Sequence, residues 1–230
     1  MDNGNLHRSW LRSAVSVFRK DVRSELRTRY AISALAMFVV TTISVIVFAL
    51  GSEGASIDAL SGMLWVVIFF AAMSGLSRTF VTEEERGTTM TLQLLTEPSA
   101  IYVGKLMFNL VLVVGVNMLT VALYMVFLDD FVIKNAVIFW IAIALGSIGL
   151  AAASTIIAAI IAKANAKGTL YPVLSFPILI SLLLTCINAT RLAAEGAFLD
   201  EALGEFQFLL SYIVVVVTAS LLLFEYIWKD

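Results

Sequence analysis

The sequence predicts an all-α integral membrane protein: six transmembrane helices, an N-terminal amphipathic interfacial helix, and a short cytoplasmic helix between spans two and three. Three observations carry this. Hydrophobic residues make up 60% of the 230, and only 14% are charged. The mean hydropathy is +0.96. Apolar runs of about 20 residues, each long enough to cross a roughly 30 Å hydrocarbon core, recur along the whole chain. A water-soluble fold has no interior large enough to hide that much apolar side chain. The organisation is a cytoplasmic arm over residues 1–30 and a six-span membrane domain over 31–230, with no room for a separate soluble domain.

Ala31 to Leu50 is the first uninterrupted apolar run, and Gly51 to Ser56 breaks it. The second runs from Ala59 to Phe80, and the third from Val103 to Phe127, ended by Asp129 and Asp130. A fourth, Val132 to Ile161, is longer than one span needs, so tilt, a kink near Gly146 and Gly149, or an interfacial start is expected. The fifth, Leu170 to Ile187, contains Pro172 and Pro177. Each proline removes a backbone donor and bends the helix, which then serves as a hinge or as a static kink. The sixth is Phe206 to Trp228, and the acidic segment 191–205 before it reads as a half-helix at the outer surface.

Orientation follows from lysine and arginine, which accumulate in cytoplasmic loops. Of the 15 basic residues, only Lys134 and Arg191 fall on one side. The arm (Arg8, Arg12, Arg19, Lys20, Arg23, Arg27, Arg29), the 2–3 loop (Arg78, Arg86, Lys105), the 4–5 loop and Lys229 fall on the other. Both termini are therefore expected in the cytoplasm. The N-terminus lacks the pattern of a cleaved signal, because about 30 polar and basic residues precede the first apolar run.

In the arm, Leu11, Val15, Phe18, Val22 and Leu26 line one helical face, with Arg12, Arg19, Lys20, Arg23 and Arg27 on the flank and back. Such a helix suits the headgroup layer of a bilayer, or it acts only as a topology signal. In the 2–3 loop, Glu83, Glu84, Glu85 and Arg86 end the second helix, Gly87 permits a reversal, and Thr88 or Thr89 can cap a new short helix. That helix carries Met90, Leu92, Leu94 and Leu95 and stops before Glu97 and Pro98. Exposed leucines on a short cytoplasmic helix call for a groove on a soluble partner, or for a bed of lipid headgroups.

Asn109 and Asn117 on the third span, and Asn188 at the outer end of the fifth, suit hydrogen bonds between helices or the lining of a path. Gly146, Ser147, Gly149, Ala153, Ser154, Ala158 and Ala162 make the fourth span a close-packing surface. No phosphate-binding loop is present, since the Gly104-Lys105 pair lacks the preceding glycine, so the chain is not an ATPase on its own. It carries no catalytic constellation and no metal or cofactor of its own is expected. His7 is the only histidine and lies in the arm, and Cys186 is the only cysteine, which excludes a disulfide within the chain.

The order of a basic interfacial helix, two spans, a short helix after GluGluGluArgGlyThrThr, and four further spans resembles the membrane subunits of type-two ABC exporters. In detail it resembles the cytochrome c maturation B family, also called haem exporter protein B. The likeness covers nearly the whole chain. It rests on Arg78-Thr-Phe80 followed by acids, Gly87-Thr-Thr, Leu92-Gln-Leu-Leu95, Lys105 at the third span, the LysAlaAsnAlaLysGly turn at 163–168, and the two-proline fifth span. Thr96 and Glu97 separate the leucines from Pro98, where family members often place proline sooner.

The resemblance implies a multi-pass protein of the bacterial cytoplasmic (inner) membrane. It implies a partner ABC ATPase subunit that binds ATP, a haem-handling membrane protein of the same system, and pairing either with a second copy or with a related membrane protein. No nucleic-acid partner is implied. Glu83, Glu84, Glu85, Arg86, Gly87, Met90, Leu92 and Leu95 would form the ATPase-coupling element; Arg12, Phe18, Arg19 and Arg23 the interfacial helix; and Pro172 and Pro177 the hinge. The implied work is haem export, or release of a haem-loaded chaperone. The alternatives are a mechanical transmission subunit that transports nothing, and a permease for another lipid, drug or amphipathic cargo.

Overall fold

The computed structural model describes residues 3–51, 54–85, 87–163 and 170–229. Among them the chain forms helices only: α1 (Asn3–Thr28), α2 (Tyr30–Leu50), α3 (Ile57–Leu76), α4 (Val81–Glu85), α5 (Thr89–Leu95), α6 (Pro98–Phe127), α7 (Ala136–Lys163), α8 (Leu170–Glu195) and α9 (Leu203–Lys229). Six of these, α2, α3, α6, α7, α8 and α9, are long and apolar enough to cross a membrane. With no water in hydrocarbon to satisfy backbone groups, uninterrupted helices are the form such runs must take.

Local chemistry sets the boundaries. Arg29, in the left-handed region at φ 52°, turns the chain between α1 and α2. The Ser56 hydroxyl accepts from the Ala59 amide at the start of α3, and Pro98 opens α6, where a missing N–H costs nothing. The surplus length of the fourth apolar run resolves as an interfacial start. Residues 131–135 lie outside the helix, and Asn135 Oδ1 accepts from the amides of Val137 and Ile138 to cap α7. α7 is then one continuous helix.

One expectation is corrected at the outer surface. Residues 191–205 form no half-helix, because α8 continues to Glu195, about two turns past Ile187, and α9 opens at Leu203. Arg191 supports this extension by bonding to Asn188 Oδ1 (2.9 Å) one turn earlier and to Glu195 (3.2 Å) one turn later.

α7 is the centre of the bundle, with its faces against α3, α6, α8 and α9. Gly146 lets it approach: a Cβ there would stand 2.3 Å from the Trp65 ring and 2.8 Å from Cys186 Sγ. The polar residues of the spans mostly tie helices together. Asn117 donates to Ser147 Oγ (2.8 Å) and Asn109 to Thr155 Oγ1 (2.8 Å), both from α6 to α7. Trp65 of α3 donates to Thr190 of α8 (2.8 Å), and Asn188 of α8 donates to Glu205 of α9.

The connections sort to two ends. At one end lie α1, α4, α5 and the end of α9, joined by Trp10 Nε1 donating to Ser99 Oγ (2.9 Å) and by Gln93 donating to the Trp228 carbonyl. At the other, Asn135 donates through its backbone to the Ala193 carbonyl (2.9 Å) and through its side chain to the Ala197 carbonyl (2.9 Å), and Arg191 reaches Asp58 (3.6 Å). An even number of spans returns both termini to the α1 end.

Candidate functional site

The segment from Arg78 to Pro98 is built around one buried side chain. α3 ends at Leu76, a turn leads into α4, and Gly87 at φ +66° reverses the chain. The Gly87 amide donates to the Glu84 carbonyl and the Thr88 amide to the Glu83 carbonyl, the paired bonds of a Schellman stop. The Thr88 hydroxyl does not cap α5; it turns back and donates to Glu83 Oε2 (2.5 Å).

Glu83 is 5% exposed and Lys105, on α6, is 2% exposed. Lys105 Nζ donates to Glu83 Oε1 (2.8 Å) and to the Thr79 carbonyl (3.0 Å), and lies 3.0 Å from Asp21 Oδ2 of α1. That last contact is coulombic, since its direction makes no hydrogen bond. Lys20 of α1 also donates to Glu83. Two lysines and two carboxylates thus form a neutral cluster binding α1, α4 and α6. Burial alone would raise the Glu83 pKa, but the Lys105 charge and hydrogen bonds from Lys105, Lys20 and Thr88 outweigh it and hold the carboxyl down at about 2.

The cluster continues into the bundle as a polar chain. The Thr79 hydroxyl lies 2.8 Å from Asn109 Oδ1, Asn109 donates onward to Thr155, and Thr155 donates to the Ala151 carbonyl (2.6 Å). These bonds join the turn before α4 to α6 and α7.

α5 presents Met90, Leu94 and Leu95 outward, at 71%, 81% and 76% exposure. Leu92 points the other way, half-buried against the core, so its expected place on the outer face is corrected. At about 100° per residue, Leu92 stands some 200° from Leu94. Gln93 fastens α5 to the end of α9, where Trp228 packs on Phe224 (5.4 Å) and Phe80 (5.7 Å). Glu83 likewise belongs to the buried cluster and not to the exposed face. Glu84 and Glu85 are exposed, Glu84 accepting from Thr89 (2.9 Å) and Glu85 pairing with Arg78 (3.7 Å). Arg86 and the turn at 164–168 lie outside the described residues.

A profile of the CcmB protein family matches residues 12–225. The chain belongs to the CcmB family. A comparison with curated proteins returns no match. Membership makes this CcmB chain a membrane component of an ABC system for cytochrome c maturation, a permease subunit and not itself an ATPase.

In this CcmB chain, α1 packs along α6 by a different face from its apolar stripe. Trp10, Ala14, Val17 and Asp21 turn inward, while Leu11 and Leu26 are exposed and Val15, Phe18 and Val22 half-buried. Gly104 permits the contact, because a Cβ there would stand 2.7 Å from the Ala14 carbonyl oxygen. Arg12, Arg19 and Arg23 are exposed. Pro177 is an exposed residue within α8, and Pro172 stands in the first turn of that helix as described. Among the described residues no three His, Cys, Asp or Glu side chains gather in a metal-binding group.

Proposed function

We propose that the chain transmits ATP-driven motion from a partner ATPase subunit into the membrane during cytochrome c maturation, with α5 as the coupling helix. One observation carries the reading: α5 exposes Met90, Leu94 and Leu95 while Leu92 and Gln93 hold it to the bundle and Thr88, at its start, is bonded to the buried Glu83. A helix apolar outward and bonded inward is suited to receive a push and pass it on. The basic end of the bundle, with α1, α5 and both termini, faces the cytoplasm of a bacterial inner membrane. The apolar stripe of α1 rests on lipid, with Arg12, Arg19 and Arg23 toward headgroups or an acidic protein surface.

The work done is haem export or release of a haem-loaded chaperone, and the chemistry of the cleft above the Glu83–Lys105 cluster favours release. That cleft, between α1, α2 and α6, has no His, Cys, Met or Tyr among its described lining residues, the side chains that commonly ligate haem iron. Pro177 acts as the hinge of α8.

The test is co-purification with the ATPase subunit. Leu94→Asp and Leu95→Asp place a charge in a desolvated groove, at a cost of several kcal/mol, and abolish co-purification while membrane insertion persists. Normal ATPase binding by both variants would remove α5 from the interface. Purified protein is expected to show no stoichiometric Soret band.

A further inference from the structure

The face of α1 turned away from the bundle is basic. At about 100° per residue, Arg19 and Arg23 project within about 20° of Arg12, so the three form one ridge along the helix. Trp10, Ala14, Val17 and Asp21, the face set against α6, stand on the opposite side, roughly 170° round the helix. The three arginines are exposed, and among the described residues none of their side chains has an ion pair or a hydrogen bond. Arg27, also exposed, lies about 60° from the ridge.

Two features choose the occupant of this face. The apolar stripe, Leu11, Val15, Phe18, Val22 and Leu26, is centred about 80° from the ridge, and its ends, Leu11 and Leu26, are 55% and 61% exposed. A helix that lays this stripe among acyl chains holds the adjoining ridge at the level of the phosphates. The second feature is charge. The two acids of α1 point elsewhere: Asp21 faces inward to Lys105 (3.0 Å), and Glu25, about 140° from the ridge, accepts from the Ile32 amide. Glu97, exposed at the start of α6, makes no ion pair with Arg12, Arg19 or Arg23. A zwitterionic headgroup brings an ammonium that finds no carboxylate of α1 on this face. A headgroup of net negative charge offers its phosphate to the arginine forks unopposed.

Resting on the reading of α1 as a helix laid on the bilayer, we propose that the Arg12–Arg19–Arg23 ridge gathers anionic phospholipid in the leaflet that α1 lies on. The guanidinium groups donate to the phosphates, and the acyl chains run beneath Phe18, Val22 and Leu26. Lys20 and Asp21 of the same helix belong to the Glu83–Lys105 cluster, so the lipid-held helix is the one bonded to α4 and α6.

The experiment is fluorescence quenching in phosphatidylcholine bilayers that hold the full chain, with Leu26→Cys carrying the fluorophore at the edge of the stripe next to the ridge. The native Cys186 is fully buried and stays unlabelled. Phosphatidylglycerol and phosphatidylcholine bearing the same quencher at the top of one acyl chain are compared at equal content. Phosphatidylglycerol is expected to quench on the order of fivefold more strongly, the enrichment that one basic residue at the headgroup layer supports. The excess should vanish when Arg12→Gln, Arg19→Gln and Arg23→Gln are combined. It should also vanish with the arginines intact at about 1 M salt, where the screening length is about 3 Å. Equal quenching by the two lipids would keep α1 on the bilayer and overturn the lipid preference alone, leaving the ridge to an acidic protein surface. No quenching by either would remove α1 from the bilayer and overturn both. A preference that persists in the triple variant or at high salt would overturn the assignment to this ridge.

Discussion

Lys105 Nζ lies 2.8 Å from Glu83 Oε1 with both side chains buried, which joins the third span to the turn that leads into α5. Burying two charges carries a desolvation cost that apolar packing would avoid, so the pair is better explained by what it fixes than by the stability it adds. It fixes where α4 sits on α6, and Asp21 and Lys20 extend the same bond to α1. Lys105→Met strands the carboxylates and should lower stability by about 3–5 kcal/mol, the range for breaking a buried pair. Thermal unfolding in detergent reads this. Adding Glu83→Gln should restore a large part of the loss; a double variant as unstable as the sum of the two singles would mean that the residues are uncoupled.

The same cluster gives the protein an acid limit. The Glu83 carboxyl is held at about 2 in the folded chain, below its ordinary 4.5. A depressed folded pKa contributes stability in full above the ordinary value and loses it as pH falls toward the folded one. The melting temperature should therefore drop between about pH 4.5 and pH 2. Glu83→Gln, less stable at neutral pH, should flatten that part of the profile. A slope unchanged by Glu83→Gln would assign the acid sensitivity to other carboxylates.

The spans were legible in the sequence because lipid demands long apolar helices, and Ala31–Leu50 or Ala136–Lys163 admit no other reading. Which face of each packs was not legible. When nearly every position is apolar, hydrophobicity carries no direction, and the contacts are set by Gly104, Gly146 and the asparagines, whose partners lie far away in sequence. α1 meets α6 through Ala14 and Val17, which lie against Gly104, while Val15, Phe18 and Val22 are half-buried and Leu11 and Leu26 exposed. In the 2–3 loop the run of acids hid one buried residue among exposed ones. Glu83 differs from Glu84 and Glu85 only in facing Lys105, twenty-two positions on. Leu92 and Leu94 were separable in principle, since two helical residues two apart cannot share a face.

Sidedness is open to direct labelling. Cysteines placed at Ser56 and Glu195, exposed at the end opposite α1, should react with impermeant reagents from outside intact cells, and one at Glu84 should not. The native Cys186 is fully buried and gives no background. Labelling at Glu84 from outside would invert the orientation, and with it the placement of the coupling helix in the cytoplasm.

The seam between α1 and α6 tests whether α1 takes part in the proposed transmission or merely lies nearby. Gly104→Ala would set a Cβ 2.7 Å from the Ala14 carbonyl oxygen and 2.8 Å from Val17 Cβ, and neither atom is the free end of a flexible side chain. Something must therefore shift, at about 1–3 kcal/mol for such overpacking. The movement that relieves it carries α1 away from α6 and lengthens the 3.0 Å contact between Asp21 and Lys105. Gly115→Ala on the same helix meets nothing within 4 Å and serves as the control. Cysteines at Trp10 and Ser99, whose side chains now share a 2.9 Å hydrogen bond, report the separation. A short bifunctional thiol reagent, which spans the gap left by the indole, should cross-link them efficiently in the parent and in Gly115→Ala, and poorly in Gly104→Ala. If Gly104→Ala also lowers cytochrome c maturation while the ATPase still co-purifies, α1 takes part in passing the motion on; full maturation with α1 detached would confine the helix to anchoring.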